Sequence, residues 1–266
     1  MTSPVTIRAS SFGALFDCPS RWAAIHLEGR RVPSTANAAL GKAVHKGTAV
    51  YDAERVSGRM PSLQAAADAA AEQIERPEDD TDWQNESPEK AKDIAVSLTT
   101  KYCRDVAHLY EFVAVEISVE ALHLTDLEIV LTGHTDRVRR TDDGLGIVDI
   151  KTGKTAVGPD GRAKTHGHAA QMGVYELVAE AALGARMDLP SQILGMQTNA
   201  KPETQRIGTG EIVGAKEVLL GNDDQQGLLH IASALVHGRI PLWGNPKSVM
   251  CHERYCPNFH TCFFRR

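Results

Sequence analysis

The stretch that decides the fold is LTGHTDRVRRTDDGLGIVDIKTGK, residues 131–154. Two apolar-rich runs, at residues 129–138 and 145–150, flank the turn-forming sequence TDDG at residues 141–144. An Asp-Gly pair between two such runs is a strong signal for a tight turn. The stretch therefore predicts a β-hairpin.

Charged side chains follow the alternation of this hairpin. Asp136 lies on the first strand, three residues after Gly133, and Asp149 and Lys151 lie two residues apart on the second. Successive side chains of a strand point to opposite faces, so Asp149 and Lys151 share one face. A carboxylate from the neighbouring strand on that face would make a divalent-metal site with a lysine beside it. An ordinary surface hairpin decorated with charges fits these residues equally well, and the rest of the chain has to decide.

Length and composition bound the alternatives. The 266 residues are enough for one large domain or two small ones, with 42% hydrophobic and 24% charged residues, as in soluble globular proteins. The net charge of −5 excludes a bulk polycation, so any nucleic-acid contact has to use local patches. No apolar run is long enough to cross a bilayer, and the N-terminal MTSPVTIRASS lacks a signal-peptide core. We therefore expect a cytoplasmic protein without a membrane segment.

A helix is predicted over residues 36–56, where Leu40 and Val44 begin an apolar stripe. His45 lies beside that stripe. A single histidine at such a position is more often an ordinary core or surface residue than a ligand, and the local pattern does not distinguish these interpretations.

Further elements follow from the same periodicities. We expect a short N-terminal helix ended by Cys18-Pro19, mostly helical structure over residues 61–111 and a strand over residues 113–124. A helix is predicted over residues 169–183, in which Gln171 and Tyr175 are four residues apart and share a face. A strand over residues 191–198 and a helix over residues 221–237 complete the set.

The cysteines give the strongest compositional signal. Three of them fall within the last sixteen residues in the spacing C-x4-C-x5-C, and with a distant fourth they could form one four-thiolate site: Cys18, Cys251, Cys256 and Cys262. Such a site suits either a 4Fe–4S cluster or Zn²⁺, and His252 and His260 leave mixed Cys/His zinc ligation open. Unrelated buried cysteines are the remaining alternative. Cys103 has no cysteine near it in the sequence and is predicted to be a core residue.

Taken together, these motifs resemble a known family. A helix histidine, a strand Asp after a Gly, a D/E-x-K strand and a Q-x3-Y helix occur in the order typical of RecB-type nucleases of the PD-(D/E)XK superfamily: His45, Asp136, Asp149-Ile150-Lys151, and Gln171 with Tyr175. Cys18-Pro19 and the C-terminal cysteines further resemble its iron–sulfur branch. That branch includes CRISPR-associated adaptation exonucleases, the AddB nuclease domain, and exonucleases of phages and mobile elements. The resemblance extends from Ser11 to Cys262.

The sequence departs from the family pattern at two places. The usual cysteine triplet in that branch is C-x2-C-x5-C, whereas the first gap here has four residues. The "PD" dipeptide is absent, because Thr135 precedes Asp136.

The resemblance implies an α/β fold with a restriction-endonuclease-like core, in which helices flank a mixed central sheet. It implies a single domain over residues 1–266, a helical insertion at 61–111, and a Cys-ligated cluster that staples Cys18 to the segment 251–262. It also implies that Mg²⁺ or Mn²⁺ is held by four groups: His45, Asp136, Asp149 and the Ile150 carbonyl. Lys151 would orient the attacking water and offset transition-state charge, and Gln171 and Tyr175 would position Lys151 or the scissile phosphate.

The implied activity is phosphodiester hydrolysis of DNA, by an exonuclease acting on single strands or ends. Recombination, repair, phage replication and CRISPR adaptation are the settings in which such enzymes act, so a recombination or CRISPR-adaptation protein is the expected type of partner. Two other functions stay open from the sequence. One is a non-catalytic, cluster-bearing DNA-binding subunit, and the other is a zinc-stapled structural partner.

Overall fold

The predicted hairpin is present in the computed structural model, which describes residues 3–265. Strand β5 spans Ile129–Thr141 and strand β6 spans Gly144–Gly153, with Thr141 paired to Gly144 across the turn. Their antiparallel ladder ends at the pair of Arg137 and Val148. Beyond that point the two strands take different neighbours, so the sheet forks at Asp136 and Asp149, two of the predicted metal ligands.

The remaining elements follow in chain order. The other strands are β1 Val5–Arg8, β2 Ser34–Thr35, β3 Thr81–Asp82, β4 Glu111–Leu124, β7 Ser191–Gln197 and β8 Ile207–Ile212. The helices are α1 Ala9–Asp17, α2 Pro19–His26, α3 Ala36–Val56, α4 Leu63–Glu75, α5 Pro88–Asp105, α6 Ala169–Leu183, α7 Ala215–Leu220 and α8 Leu228–Val236.

Six strands form the central sheet, in the order β1-β5-β6-β7-β8 with β4 also paired to β5. The β1/β5 and β6/β7 pairs are parallel, and the β4/β5, β5/β6 and β7/β8 pairs are antiparallel. The sheet is therefore mixed, as expected. The first half of β5 pairs with β1 and its second half with β6, which is how the fork arises.

Helices cover both faces of this sheet. Adjacent residues of β6 point to opposite faces and therefore pack against different helices. Ile147 packs with the core that includes α1, α6, α7 and α8, whereas Val148 and Ile150 pack with the core of α3, α4 and α5. The segment expected to be a helical insertion thus supplies α4 and α5 to the layer that α3 begins. None of the helices among residues 3–265 is both long and apolar enough to cross a membrane.

Several predicted boundaries needed correction. The helix expected over residues 221–237 begins only at Leu228, because Gly221 adopts a left-handed φ of 82° and a tight loop joins α7 to α8. The chain does leave helix α1 at Cys18, but a second helix starts at once, with Pro19 at the first helical position, where its missing N–H costs nothing. Strands β1 and β8 have no clear sequence signal, and the two glycines of β8 weaken its pattern.

Candidate active site

The fork of the sheet brings the hairpin carboxylates together. Asp136 is 5% exposed and Asp149 is 1% exposed, and both adjoin the last ladder pair, with Asp136 just before Arg137 and Asp149 just after Val148. The Ile150 backbone N–H donates to Asp136 Oδ2 at 2.7 Å, so the Asp136 side chain takes the donor that a continued ladder would have used. The two predicted metal-binding carboxylates are therefore neighbours on adjacent strands.

Helix α3 places His45 against this pair. Its Nδ1 lies 3.2 Å from Asp136 Oδ1. Thr35 caps the helix by accepting a hydrogen bond from the Ala38 N–H, which fixes where α3 begins and hence which residues face the sheet. Burial alone would lower the pKa of His45, but the Asp136 carboxylate outweighs it and the pKa is raised.

The environment moves the pKa values of the two carboxyls in opposite directions. Burial raises the pKa of Asp136, but His45, Lys151 and Arg137 outweigh it and lower the value to about 2. At Asp149 burial prevails, with a contribution from the Asp136 charge and against the effect of Lys151, and raises the pKa to about 6. The site thus holds one firmly ionised carboxylate and one that is costly to ionise.

Lys151 lies close to Asp149, the carboxyl group whose ionisation is unfavourable. Its Nζ lies 2.7 Å from Asp149 Oδ2, which confirms that the two side chains share a face. Asp149 Oδ2 is buried, and the group that faces it is the Lys151 ammonium.

Gln171 and Tyr175 belong to helix α6, and their side chains are hydrogen-bonded to each other. Gln171 Nε2 donates to the Tyr175 hydroxyl at 2.9 Å. Burial, together with the nearby Asp149 and Asp136 charges, raises the pKa of Tyr175 above its ordinary value. The phenol is therefore a neutral group close to both carboxylates, and its contact with a phosphate stays a prediction.

A groove along α3 leads to His45 and Lys151. Lys42, Lys46, His45 and Lys151 line it, together with residues of α4 and β4. Lys42 forms an ion pair with Asp79 in the loop after α4. The groove thus presents Lys46 and Lys151 together with the acidic Glu78 and Glu116, while Lys42 is already paired.

Glu116 was not identified from the sequence. Val115 pairs with Arg137 and Ile117 with Thr135, so Glu116 stands opposite Asp136 on β4, with a left-handed φ of 55°. It lines the groove, pairs with His134, and accepts a hydrogen bond from Arg137 Nη1 at 3.1 Å. A glutamate in an alternating strand gives no signal for these contacts.

The donor chemistry of the fork fits a divalent cation. Two buried carboxylates and one imidazole are ligands that Mg²⁺ or Mn²⁺ takes in proteins. Among residues 3–265, no three His, Cys, Asp or Glu side chains form a ready metal cage as they stand. Lys151 and His45 occupy carboxylate oxygens that a cation would use, so binding requires these side chains to shift.

The four predicted cysteine ligands line a single small pocket with a cavity volume of about 10 Å³. None of the chain's five cysteines is in a disulfide. The Asn245 backbone N–H lies 3.4 Å from Cys18 Sγ, and Arg21 also lines the pocket. Burial, with Cys18 and Cys251 nearby, raises the pKa of the Cys256 thiol. Cys103 is buried in the core away from them, as expected.

Hydrogen bonds already join the two ends of the chain around this pocket. Asp17 accepts from Ser248 Oγ at 2.5 Å and from Asn245 Nδ2 at 3.1 Å. Arg21 Nε donates to the Tyr255 carbonyl at 2.8 Å. The C-terminal tail is therefore held to α1 and α2 by polar contacts as well as by any metal.

The fold is a mixed sheet between helices, and its D-x-K strand and the partner Asp136 lie at a groove. These two features together define a class of protein. The family model of the PD-(D/E)XK nuclease superfamily matches residues 7–263. The chain therefore belongs to this superfamily, whose members are generally metal-dependent nucleases.

Other comparisons add little. No curated protein matches the chain. A solved structure described as "Crystal structure of SSO0001" is similar at 11% identity and a TM-score of 0.43, over 100% of this chain and 90% of that one. A likeness at this level adds nothing to the family assignment.

Proposed function

We propose that this chain is a metal-dependent deoxyribonuclease that acts as an exonuclease on single-stranded DNA or DNA ends. The observation that carries the proposal is the fork of β5 and β6, where Asp136, Asp149, Lys151 and His45 meet at the end of a groove. This combination places ligands for a divalent cation and a lysine at one point, which suits phosphodiester hydrolysis by a metal-activated water.

Each residue has a role that follows from its surroundings. The ionised Asp136, Asp149, the Ile150 carbonyl and neutral His45 would hold Mg²⁺ or Mn²⁺, with the imidazole favouring Mn²⁺. When bound, such a cation supplies activation of water and neutralisation of phosphate charge. Its positive charge also favours the ionised form of Asp149, which burial otherwise disfavours.

Lys151 and the α6 pair would act on the substrate. Lys151 Nζ, once released from Asp149, would orient the attacking water and offset the charge of the pentavalent transition state. The neutral Tyr175 hydroxyl accepts a hydrogen bond from Gln171 and could itself donate to a phosphate oxygen. The pair would thereby position Lys151 or the scissile phosphate. The lysines of the groove, Lys42 and Lys46, supply positive charge for the approaching backbone.

The test is a cleavage assay on end-labelled single- and double-stranded linear DNA, and on a closed circle, with Mg²⁺, Mn²⁺ or chelator. We expect cleavage of the linear substrates with the cation only, and little cleavage of the circle. Asp149→Asn should abolish cleavage, whereas Asp143→Asn makes the same chemical change at the exposed turn of the hairpin and should not. Lys151→Ala should lose rate but keep the cation requirement.

Other outcomes would point elsewhere. Equal cleavage of circle and ends would replace the exonuclease by an endonuclease. DNA binding without cleavage under any metal would favour a non-catalytic DNA-binding subunit, the second function open from the sequence.

We further propose that Cys18, Cys251, Cys256 and Cys262 hold a 4Fe–4S cluster, with Zn²⁺ as the alternative. Their shared pocket supports this, and Arg21 would offset the negative charge of a thiolate cluster. Anaerobically purified protein should be brown and contain iron and sulfide, while a colourless protein with one zinc would establish the zinc staple. Full metal content in Cys18→Ser, with the N-terminus still protected from protease, would show that the C-terminal triplet acts alone.

A further inference from the structure

Arg137 follows Asp136 directly and is fully buried, with a relative exposure of 0%. In the sequence it looks like one of the solvated arginines of the RVRR run. A guanidinium loses strong hydration on burial, so it persists in an interior only where most of its donors find acceptors. What those acceptors are is therefore informative.

Two of its nitrogens bond to helix α3. Arg137 Nε donates to Asp52 Oδ2 at 2.7 Å, and Nη2 donates to Thr48 Oγ1 at 3.2 Å. Thr48 and Asp52 lie three and seven residues after His45, on the same face of the helix. The Tyr102 hydroxyl of α5 donates to the same Asp52 oxygen at 2.6 Å. The face of α3 that carries His45 is therefore pinned to β5 by one side chain.

The third nitrogen reaches the opposite side. Arg137 Nη1 donates to the backbone carbonyl of Asp136 at 2.7 Å and to Glu116 Oε1 of β4 at 3.1 Å. The guanidinium is planar and rigid, so its donors fix α3, β4 and the Asp136 backbone at set distances from one another. A lysine, with one donor group on a flexible stem, cannot do this.

We propose that Arg137 is a positioning residue that sets the spacing between α3 and β5, and so places His45 and Asp136 to take the divalent cation. The inference rests on the proposed function. The contact that Arg137 would control is the 3.2 Å contact between His45 and Asp136, which also joins α3 to β5. His45 lies about one helical turn from Thr48 and two turns from Asp52. Asp136 is thereby fixed from its backbone and His45 from its helix.

The experiment measures Mn²⁺ binding by calorimetry without DNA, and separately the Mn²⁺ dependence, kcat and KM of cleavage. Thr48→Val removes one acceptor of Arg137 while keeping the side-chain shape. We expect Mn²⁺ affinity to fall about tenfold, the size typical for residues that orient metal ligands. The KM for DNA should stay unchanged. Thr48→Ser, which keeps the hydroxyl, should restore affinity.

The matched control is Thr99→Val. Thr99 is fully buried in α5, and its hydroxyl has no hydrogen-bond partner, so this substitution makes the same chemical change in the same helical layer without touching Arg137. Wild-type Mn²⁺ affinity in Thr48→Val, or equal losses in Thr48→Val and Thr99→Val, would overturn the proposal. A wild-type protein that neither binds Mn²⁺ nor cleaves DNA would instead refute the proposed nuclease function.

Arg137→Lys provides a second test. If it folds, as judged by a cooperative thermal transition, it should bind Mn²⁺ at least tenfold more weakly than wild type, because a lysine cannot make all four contacts. Wild-type affinity in that variant would overturn the proposal. If Arg137→Lys does not fold, the Thr48 series decides.

Discussion

Replacing Asp149 by Asn should stabilise the metal-free protein while destroying its activity. Burial, with the neighbouring Asp136 charge, raises the pKa of Asp149 from an ordinary 3.8 to about 6. A tenfold change in proton affinity is worth about 1.4 kcal/mol, so ionising this carboxyl in the folded state costs about 3 kcal/mol. Asparagine carries no charge and removes that cost.

The effect has a defined pH dependence. Between pH 3.8 and about 6 the folded protein retains a proton on Asp149 that the unfolded chain releases, so the wild type loses stability as pH rises through this window. The loss is complete above pH 6 and absent below 3.8. The raised pKa already includes the attraction of Lys151, but burying the asparagine amide costs part of the gain, so the net gain at pH 8 should be about 1–3 kcal/mol. That gain corresponds to roughly 2–12 °C in Tm for a chain of this length.

Thermal unfolding in chelator, at pH 4.5 and pH 8, measures this. The difference in Tm between Asp149→Asn and wild type should be larger at pH 8. Mn²⁺ should then raise the Tm of the wild type but not of the variant, because ligand binding stabilises only a protein that binds it. A variant no more stable than wild type at pH 8, or an offset independent of pH, would refute the reasoning, and Asp143→Asn should match wild type throughout.

Further predictions concern His45, the cysteines and a glycine of α3. His45→Ala should raise the Mn²⁺ concentration for half-maximal cleavage about tenfold. Wild-type Mn²⁺ binding should weaken as pH falls into the range, above about 6.5, where His45 takes a proton; an unchanged Mn²⁺ titration would make His45 a core residue. Cys256→Ser should lose the bound metal and loosen both termini to protease, whereas Cys103→Ser should do neither. Gly47→Ala should lower stability by about 1–3 kcal/mol, because a Cβ there would lie 2.7 Å from a backbone oxygen of α4. Gly13→Ala, with its nearest neighbour at 3.7 Å, should be neutral or stabilising by thermal unfolding.

The parts of the site that local patterns encode were predictable. The Asp-Gly turn fixes the hairpin, alternation places Asp149 and Lys151 on one face, and a capped amphipathic helix carries His45. Each of these signals lies within a few residues of sequence. The same holds for α6 and for the boundaries of α3.

The parts that depend on distant partners were not predictable. Arg137 is buried because Asp52, 85 residues away, is there to receive it, and Glu116 is held because it stands opposite the forked strand. No periodicity marks either residue. Likewise, the short strand β1 exists because β5 offers it an edge beyond the fork.

The fork explains why the site lies where it does. At a continuous antiparallel ladder, the N–H of Ile150 would bond to the neighbouring strand, and a buried carboxylate would have no donor. Because β5 and β6 separate after Arg137 and Val148, the freed N–H bonds to Asp136 instead, at 2.7 Å. At the second carboxylate, Asp149, the buried Oδ2 faces the Lys151 ammonium at 2.7 Å instead. The sheet thus stabilises one carboxylate itself and leaves the other dependent on Lys151 or a cation.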